Sequence, residues 1–165
     1  MSANLTFNYP REKTCCFTGH RIVPSEVYEQ LKQKLREQIR FSAAHGITTY
    51  LAGGARGFDA LAAATVIYLR DREALPIELI LALPYPNQAD KWPESDRRLH
   101  EEIKLRADGI VTLYPKYSDG CLLARNRFMA DNSALCVAYL TRRRGGTYNT
   151  VKYCERNGVL AVVFR

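Results

Sequence analysis

The 165-residue sequence lacks a membrane-spanning segment, because no apolar run approaches the roughly 20 residues that a transmembrane helix needs. The first residues, as far as Lys13, also lack the apolar core that is typical of a signal peptide. We therefore expect a cytoplasmic protein that has no membrane partner.

The sequence shows neither a disulfide framework nor a metal-binding pattern. Its five cysteines are odd in number and none belongs to a C-x-x-C pair, and its three histidines do not have metal-ligand spacing. Cys15, Cys16 and Cys136 lie within apolar, strand-like runs. We expect small buried thiols in a reducing compartment, with no metal and no cofactor.

Length and composition indicate one globular domain over residues 1–165, because a chain of this size with 47% hydrophobic residues can bury a substantial core. Lysine and arginine total 24 against 17 acidic residues, which gives a net charge of +7. Such an excess favours anionic partners, either nucleotides or nucleic acid. The basic residues form no stripe interleaved with aromatic side chains, so we favour a small molecule over nucleic acid.

Apolar runs alternate with helix-like segments along the chain. Strands are predicted over residues 14–18, 47–52, 77–83, 109–114, 134–140 and 159–164, and helices over 25–44, 57–70, 94–107, 121–131 and 147–156. We expect Ser25 to cap the first helix and Gly46 to end it. The alternation predicts an α/β, Rossmann-like fold, with a doubly wound, mainly parallel sheet of about six strands and helices on both faces.

Two turns at the carboxyl edge of this sheet, where ligands bind in such folds, combine glycine with arginine just before a predicted helix. Free amides and the helix dipole would attract an anion there. The turn after the second strand contains Gly53, Gly54, Arg56, Gly57 and Asp59. The turn after the fifth strand contains Arg142, Arg143, Arg144, Gly145, Gly146 and Thr147. We predict that both turns contribute to one phosphate-binding pocket.

Other loops at the same edge add candidate ligand-binding side chains. The first strand is followed by a turn that can bond an anion or remain a plain solvated turn, and it consists of Thr18, Gly19, His20 and Arg21. Tyr85 follows the third strand, and its ring can stack on a base or anchor the loop.

Asp59 and Arg127 are the candidates for a catalytic role. Asp59 can either cap the second helix or bond a ribose hydroxyl. Arg127 lies four residues before Asp131, so the two share a helix face and can form a surface ion pair. In the alternative interpretation, Arg127 points across the carboxyl edge of the sheet toward a ligand.

The turn motifs resemble those of a known superfamily. The stretch from Ala52 to Asp59 resembles the glycine–arginine–aspartate motif of the DNA-processing protein DprA, and Gly145-Gly146-Thr147 resembles the glycine–threonine motif of the Lonely Guy phosphoribohydrolases. Together they are typical of the SLOG superfamily of Rossmann-like nucleotide-binding proteins. Residues 17–21 and the segment 125–127 look most similar to the small bacterial YpsA-like group. The resemblance implies a nucleotide-like ligand and a homo-oligomer.

One position departs from the hydrolase pattern. Lonely Guy enzymes place a glutamate three residues after the motif threonine, and Thr150 stands there in this sequence. Cleavage of an N-glycosidic bond passes through a cationic sugar, which a carboxylate stabilises. We therefore favour a nucleotide-binding sensor or regulatory module without catalytic activity. The alternatives are a hydrolase like the nucleoside-monophosphate phosphoribohydrolases and a single-stranded DNA-binding protein like DprA.

Overall fold

A computed structural model describes residues 7–165, and within them six strands and five helices alternate after a short 3-10 turn at Arg11–Lys13. The strands are β1 (Thr14–Gly19), β2 (Thr49–Ala52), β3 (Glu78–Leu83), β4 (Gly109–Thr112), β5 (Leu135–Tyr139) and β6 (Leu160–Phe164). The helices are α1 (Ser25–Ala44), α2 (Phe58–Arg72), α3 (Glu94–Arg106), α4 (Cys121–Asp131) and α5 (Gly146–Arg156). None of the helices in this part of the chain is long and apolar enough to cross a lipid bilayer.

All neighbouring strands are parallel, and their order across the sheet is β4-β3-β2-β1-β5-β6. The chain builds the sheet outward from β1 to β4, then returns past β1 to add β5 and β6. The direction of winding reverses between β1 and β5, so the loops that follow these two strands flank a topological switch point. The predicted Rossmann-like, doubly wound fold is confirmed, and all of its strand pairs are parallel.

Helices cover both faces of the sheet. On one face α1, α2 and α3 pack on a core that contains Phe17 of β1 and the fully buried Leu35 and Ile39 of α1. On the other face Met129 of α4 and Cys154 of α5 pack against β1 and β5. Burial of a large apolar side chain stabilises a fold by about 1.5–3 kcal/mol. These two cores hold the strand ends, and the loops beyond them, in fixed positions.

All five cysteines are free and buried, which confirms the prediction of small core thiols. Burial raises the pKa of the Cys15 thiol well above its ordinary value, because a thiolate there would lose its hydration. Cys15 therefore behaves as an apolar side chain of the core.

The cap of α1 and the ends of several elements differ from the predictions, the ends by one or two residues. Ser25 is the first residue of α1 and provides no side-chain cap, because Pro24 occupies the capping position. The strand β2 begins later than predicted, since the amide of Ile47 donates to the carbonyl of Ser42 at 3.0 Å and closes the end of α1. Gly46 permits this reversal with a φ of +100°, in agreement with its predicted role.

Candidate ligand-binding site

The turn between β2 and α2 closes around a carboxylate. Asp59, in the first turn of α2, accepts hydrogen bonds from the amides of Gly53 and Ala55, both at 2.9 Å. Burial raises the pKa of Asp59, while these hydrogen bonds and the nearby charge of Arg125 oppose the rise. Both carboxylate oxygens accept from amides of the turn that precedes α2, and Asp59 does not cap the helix, whose capping position is Gly57.

A buried arginine, Arg125 of α4, reaches this turn from the other face of the sheet. Its Nη1 atom donates to the Gly53 carbonyl, and only 6% of the residue is exposed. From the loop after β3, Gln88 donates through Nε2 to the carbonyls of Gly53 and Gly54 at 3.3 and 3.1 Å. Burial lowers the pKa of Arg125, and the charge of Asp59 opposes this effect. The amides of Gly53 and Ala55 and the carbonyls of Gly53 and Gly54 are thus paired from within the protein.

The sequence interpretation selected Arg127 and missed Arg125 and Gln88. Helical periodicity contains the missed signal, because Cys121, Arg125 and Met129 are spaced four apart and all three are buried. Two apolar members of this series indicate that the third faces inward. Gln88 lies in a turn, where no periodic pattern marks it.

The glycines of the β2–α2 turn permit close packing. An added Cβ at Gly53 would lie 2.7 Å from the Arg125 guanidinium, and one at Gly57 would overlap the backbone of Arg21. At Gly54 an added Cβ would overlap side chains of β3 and of the loop that follows it. Gly54 and Gly57 also have φ values of +66° and +72°. The space that these glycines leave is filled by protein atoms.

Arg56, at the tip of the same turn, is held in an ion pair. Its Nε and Nη2 atoms both lie 2.9 Å from Oδ2 of Asp96 in α3. The two side chains are 31% and 34% exposed, so water weakens the pair without removing it. An anionic ligand at this turn would compete with Asp96 for the guanidinium.

His20 joins the loops after β1 and β5 at the switch point. Its Nε2 atom accepts a hydrogen bond from the Thr141 amide at 2.9 Å, and its carbonyl accepts one from the Phe58 amide at 3.1 Å. Burial, and then the charge of Arg142, lower the pKa of His20, which favours the neutral ring that can accept this bond. An added Cβ at Gly19 would overlap the Phe58 ring. The loops after β1, β2 and β5 therefore meet around His20.

The turn between β5 and α5 is open. Gly145 precedes α5 with a φ of +90°, and the helix has neither a side-chain cap nor an acidic residue in its first turn. Outside the neighbouring backbone, no atom within residues 7–165 lies within 4 Å of a Cβ added at Gly145 or Gly146. Thr147 follows, half-buried, in the first turn of the helix. Arg142, Arg143 and Arg144 are exposed, and no described residue forms an ion pair with any of them.

Thr18 and Tyr85, two further candidate ligand-binding residues, make contacts within the protein. Thr18 is a half-buried residue of β1 and pairs in register with Ala138 of β5. Tyr85 meets Tyr117 edge-on, with 5.6 Å between the ring centroids. This contact corresponds to the loop-anchoring alternative for Tyr85.

Arg127 lies on the outer surface, between α4 and α5. Its guanidinium carbon is 5.4 Å from the centroid of the Tyr153 ring, and the Tyr153 hydroxyl donates to Asp131 at 2.7 Å. Asp131 is therefore bonded to Tyr153, and within the described residues it forms no ion pair with Arg127. Nearby, the Thr150 hydroxyl donates to the carbonyl of Gly146 at 2.9 Å, so the position of the hydrolase glutamate provides no carboxylate.

The grooves beside the two glycine turns are separate. One groove, of about 270 Å³, lies beside the β2–α2 turn and is bounded by α2 and α3. Another, of about 190 Å³, lies between α4 and α5. The first groove is lined by residues of the β2–α2 turn, and the second by Asn149 and Thr150 of α5 but by none of residues 142–147, so neither groove joins the two turns. The open surface at the switch point is therefore the β5–α5 turn together with the loop after β1.

The sequence matches one family model and is similar to several known bacterial proteins. The model of the YspA SLOG family matches residues 17–156. The UPF0398 protein OB1025 of Oceanobacillus iheyensis is 22% identical over 144 residues, which are 82% of this chain and 77% of that protein. The SPbeta prophage-derived protein YoqJ of Bacillus subtilis is 24% identical over 119 residues, which are 65% of this chain and 69% of that protein.

Two solved structures share the fold. DNA processing protein A from Helicobacter pylori, which is described as binding single-stranded DNA, superposes with a TM-score of 0.65 at 21% identity over 91% of this chain. DprA from Streptococcus pneumoniae gives a TM-score of 0.66 at 14% identity over 92% of this chain. This chain spans 64% and 50% of those two proteins, respectively.

Proposed function

Because the chain belongs to the YspA SLOG family, we propose that it binds a nucleotide or a nucleotide-derived phosphate ligand at the open turn between β5 and α5, as a sensor or regulatory module. The observation that carries this proposal is the uncapped start of α5 beside three unpaired arginines, at the switch point of the sheet.

The backbone at the start of α5 supports the binding of an anion. Within residues 7–165, the amides of residues 146–148 donate to no other group, so three N–H groups face outward at the positive end of the helix dipole. A phosphate group accepts such hydrogen bonds without any side chain that must first be displaced. The half-buried Thr147 adds a hydroxyl at the same place.

The side chains around this turn support a ligand of high negative charge. Arg142, Arg143 and Arg144 precede the helix, and Arg21 from the neighbouring loop is also exposed. Hydrogen bonds to charged groups contribute about 1.5–3 kcal/mol each. A phosphoryl group can therefore recruit guanidinium groups that have no other partner in the described structure.

Isothermal titration calorimetry tests this proposal with AMP, inorganic phosphate and adenosine as probes. We expect saturable binding of AMP, weaker binding of phosphate and no binding of adenosine, which lacks the phosphoryl group. At an AMP concentration of about 100 times the dissociation constant, the free energy of unfolding rises by about 2.7 kcal/mol.

The double substitution Arg142→Gln/Arg144→Gln removes two of the cations. It should weaken AMP binding by about tenfold or more, since each tenfold corresponds to about 1.4 kcal/mol. Arg97→Gln is the matched control, because Arg97 is an equally exposed arginine on α3. The proposal is wrong if a broad nucleotide panel gives no binding, or if the double variant binds AMP as tightly as the control.

Binding of single-stranded DNA is a second candidate function. The fold similarity to a DprA described as binding single-stranded DNA and the net charge of +7 favour it. Fluorescence anisotropy with a labelled thymidine oligonucleotide tests it, and the logarithm of the affinity should fall with a slope of about −0.7 per phosphate contact as the logarithm of salt concentration rises. Affinity that does not change with salt would contradict this function.

A further inference from the structure

A groove of about 270 Å³ lies beside the switch point, on the face of the sheet that α1, α2 and α3 cover. We propose that this groove is a second binding site, for a planar aromatic small molecule that carries an anionic group. Its walls come from the loop after β1, the start of α2 and residues 92–103. None of residues 142–147 lines the groove, and within residues 7–165 Arg21 is the one residue that neighbours both this groove and the proposed nucleotide site.

His100 provides a buried polar group in the wall of the groove. The residue is 4% exposed, and its Nε2 atom has no hydrogen-bond partner within residues 7–165. An unsatisfied buried polar atom costs about 1–3 kcal/mol. Since Nε2 is itself shielded from solvent, a ligand atom that displaces the wall above it and pairs with it would recover this cost. Burial, and then the charge of Lys104, lower the pKa of His100. A neutral imidazole suits a single hydrogen bond with a ring N–H or a ring acceptor.

The apolar part of the groove favours a flat ligand. Trp92 meets the His100 ring edge-on, with 5.2 Å between the ring centroids. Ile22, Tyr28 and Leu99 also line the groove and are 76%, 41% and 38% exposed. Small-molecule sites combine such an apolar lining with a few polar groups, and aromatic walls favour stacked or edge-on rings. An aromatic ligand would remove these exposed side chains from water.

The charges around the groove favour an anion. Arg56 and Asp96 neutralise each other at 2.9 Å, and Asp59 is bonded to the amides of its own turn. Arg21 remains: it is exposed and lines the groove, and no residue in the described part of the chain forms an ion pair with it. A carboxylate or sulfonate on the ligand would pair with this guanidinium.

Calorimetric titration of the full chain with three related probes separates these contributions. Naphthoate combines the planar ring with a carboxylate, cyclohexane carboxylate keeps only the charge, and naphthalene methanol keeps only the ring. We expect saturable binding of naphthoate with a dissociation constant of about 1 mM or tighter. The other two probes should bind at least about tenfold more weakly, which corresponds to about 1.4 kcal/mol.

Two variants locate the binding in this groove. Arg21→Gln removes the exposed cation and should weaken naphthoate binding about tenfold. His100→Phe removes Nε2 while it retains a ring of similar size, and it should weaken the binding of indole carboxylate, whose ring N–H can pair with Nε2, about tenfold. Arg156→Gln, an exposed arginine at the end of α5, is the matched control and should bind naphthoate as the wild type does.

The double variant Arg142→Gln/Arg144→Gln should bind naphthoate as the wild type does. This result would show that the groove is distinct from the proposed nucleotide site. The proposal is overturned if the wild type shows no saturable binding of naphthoate, if cyclohexane carboxylate binds equally well, or if Arg21→Gln has no effect. Arg21 is exposed, so its substitution leaves the core intact and remains informative even if His100→Phe destabilises the fold.

Discussion

The β2–α2 turn and the β5–α5 turn look alike in sequence and differ in structure. Each places glycines and arginine between a buried strand and a helix. At the first turn Gly53 lies against Arg125, and both oxygens of Asp59 accept amide hydrogen bonds. At the second turn, Gly145 and Gly146 face open space and the arginines have no partner in the described structure. At the first turn the glycines let other parts of the protein pack against the backbone. At the second turn they leave the backbone open to solvent.

The difference depends on residues that lie far away in the sequence. Arg125 and Gln88 follow the β2–α2 turn by more than thirty residues, yet they provide donors to its carbonyls. No comparable side chain from the described residues reaches the start of α5. A glycine–arginine turn therefore indicates an anion site only when the rest of the fold leaves its amides free.

The largest expected effect on stability is that of Arg125→Met, which disrupts the β2–α2 turn and leaves the β5–α5 turn unchanged. It removes the buried guanidinium beside Asp59 and leaves a buried carboxylate with less compensation, so we expect the free energy of unfolding to fall by about 3–5 kcal/mol. Arg127→Met is the control two residues along α4, where an exposed contact with Tyr153 contributes at most about 1 kcal/mol. Urea denaturation measures both, and equal losses would show that Arg125 does not hold the closed turn.

The glycines offer a second comparison. Gly57→Ala places a Cβ against the Arg21 backbone at a φ of +72°, and we expect a loss of about 2–4 kcal/mol in the free energy of unfolding. Gly146→Ala adds a Cβ in open space at the first residue of α5, so stability should change by less than about 1 kcal/mol. Thermal and urea denaturation provide the test. A stable Gly57→Ala variant would contradict the close packing of the loops after β1 and β2.

The architecture could be predicted from the sequence because each strand is a short apolar run and each helix has its own periodicity. The bounds of α4, Cys121–Asp131, agree with the prediction, since both ends have local signals. Element ends that depend on contacts between elements were less accurate. The strand β2 begins after its predicted first residue because the Ile47 amide bonds to the Ser42 carbonyl, and Gly46 predicts the end of α1 but not this bond.

The candidate site was predictable only in part. Local residue types correctly indicated that Gly145 and Gly146 open a helix, whereas Asp59 bonds to the turn before α2 and does not cap that helix. The environment of each turn depends on long-range contacts that spacing does not encode. Arg125 shows the limit most clearly, because its periodicity indicates that it is buried while nothing local indicates that it bonds to Gly53. The pocket shared by both turns was expected from topology, and the side chains of Arg125 and Gln88 occupy part of that space.

The smallest expected effect is a pH dependence of the free energy of unfolding, to which the two histidines near these turns, His20 and His100, contribute differently. Burial lowers the pKa of both His20 and His100, so the unfolded chain binds more protons than the native state between their native pKa values and about 6.5. The contribution of the two neutral rings to the free energy of unfolding is complete above about pH 6.5, and it decreases as the pH falls toward the native pKa values.

The substitution His100→Phe should reduce this loss of stability more than His20→Asn, because His100 is the more deeply buried residue. Urea midpoints measured at several pH values test this order, and the carboxylates, including Asp59 with its raised pKa, contribute equally to all three proteins. An equal decrease in all three proteins would show that the link at the switch point does not depend on a neutral ring.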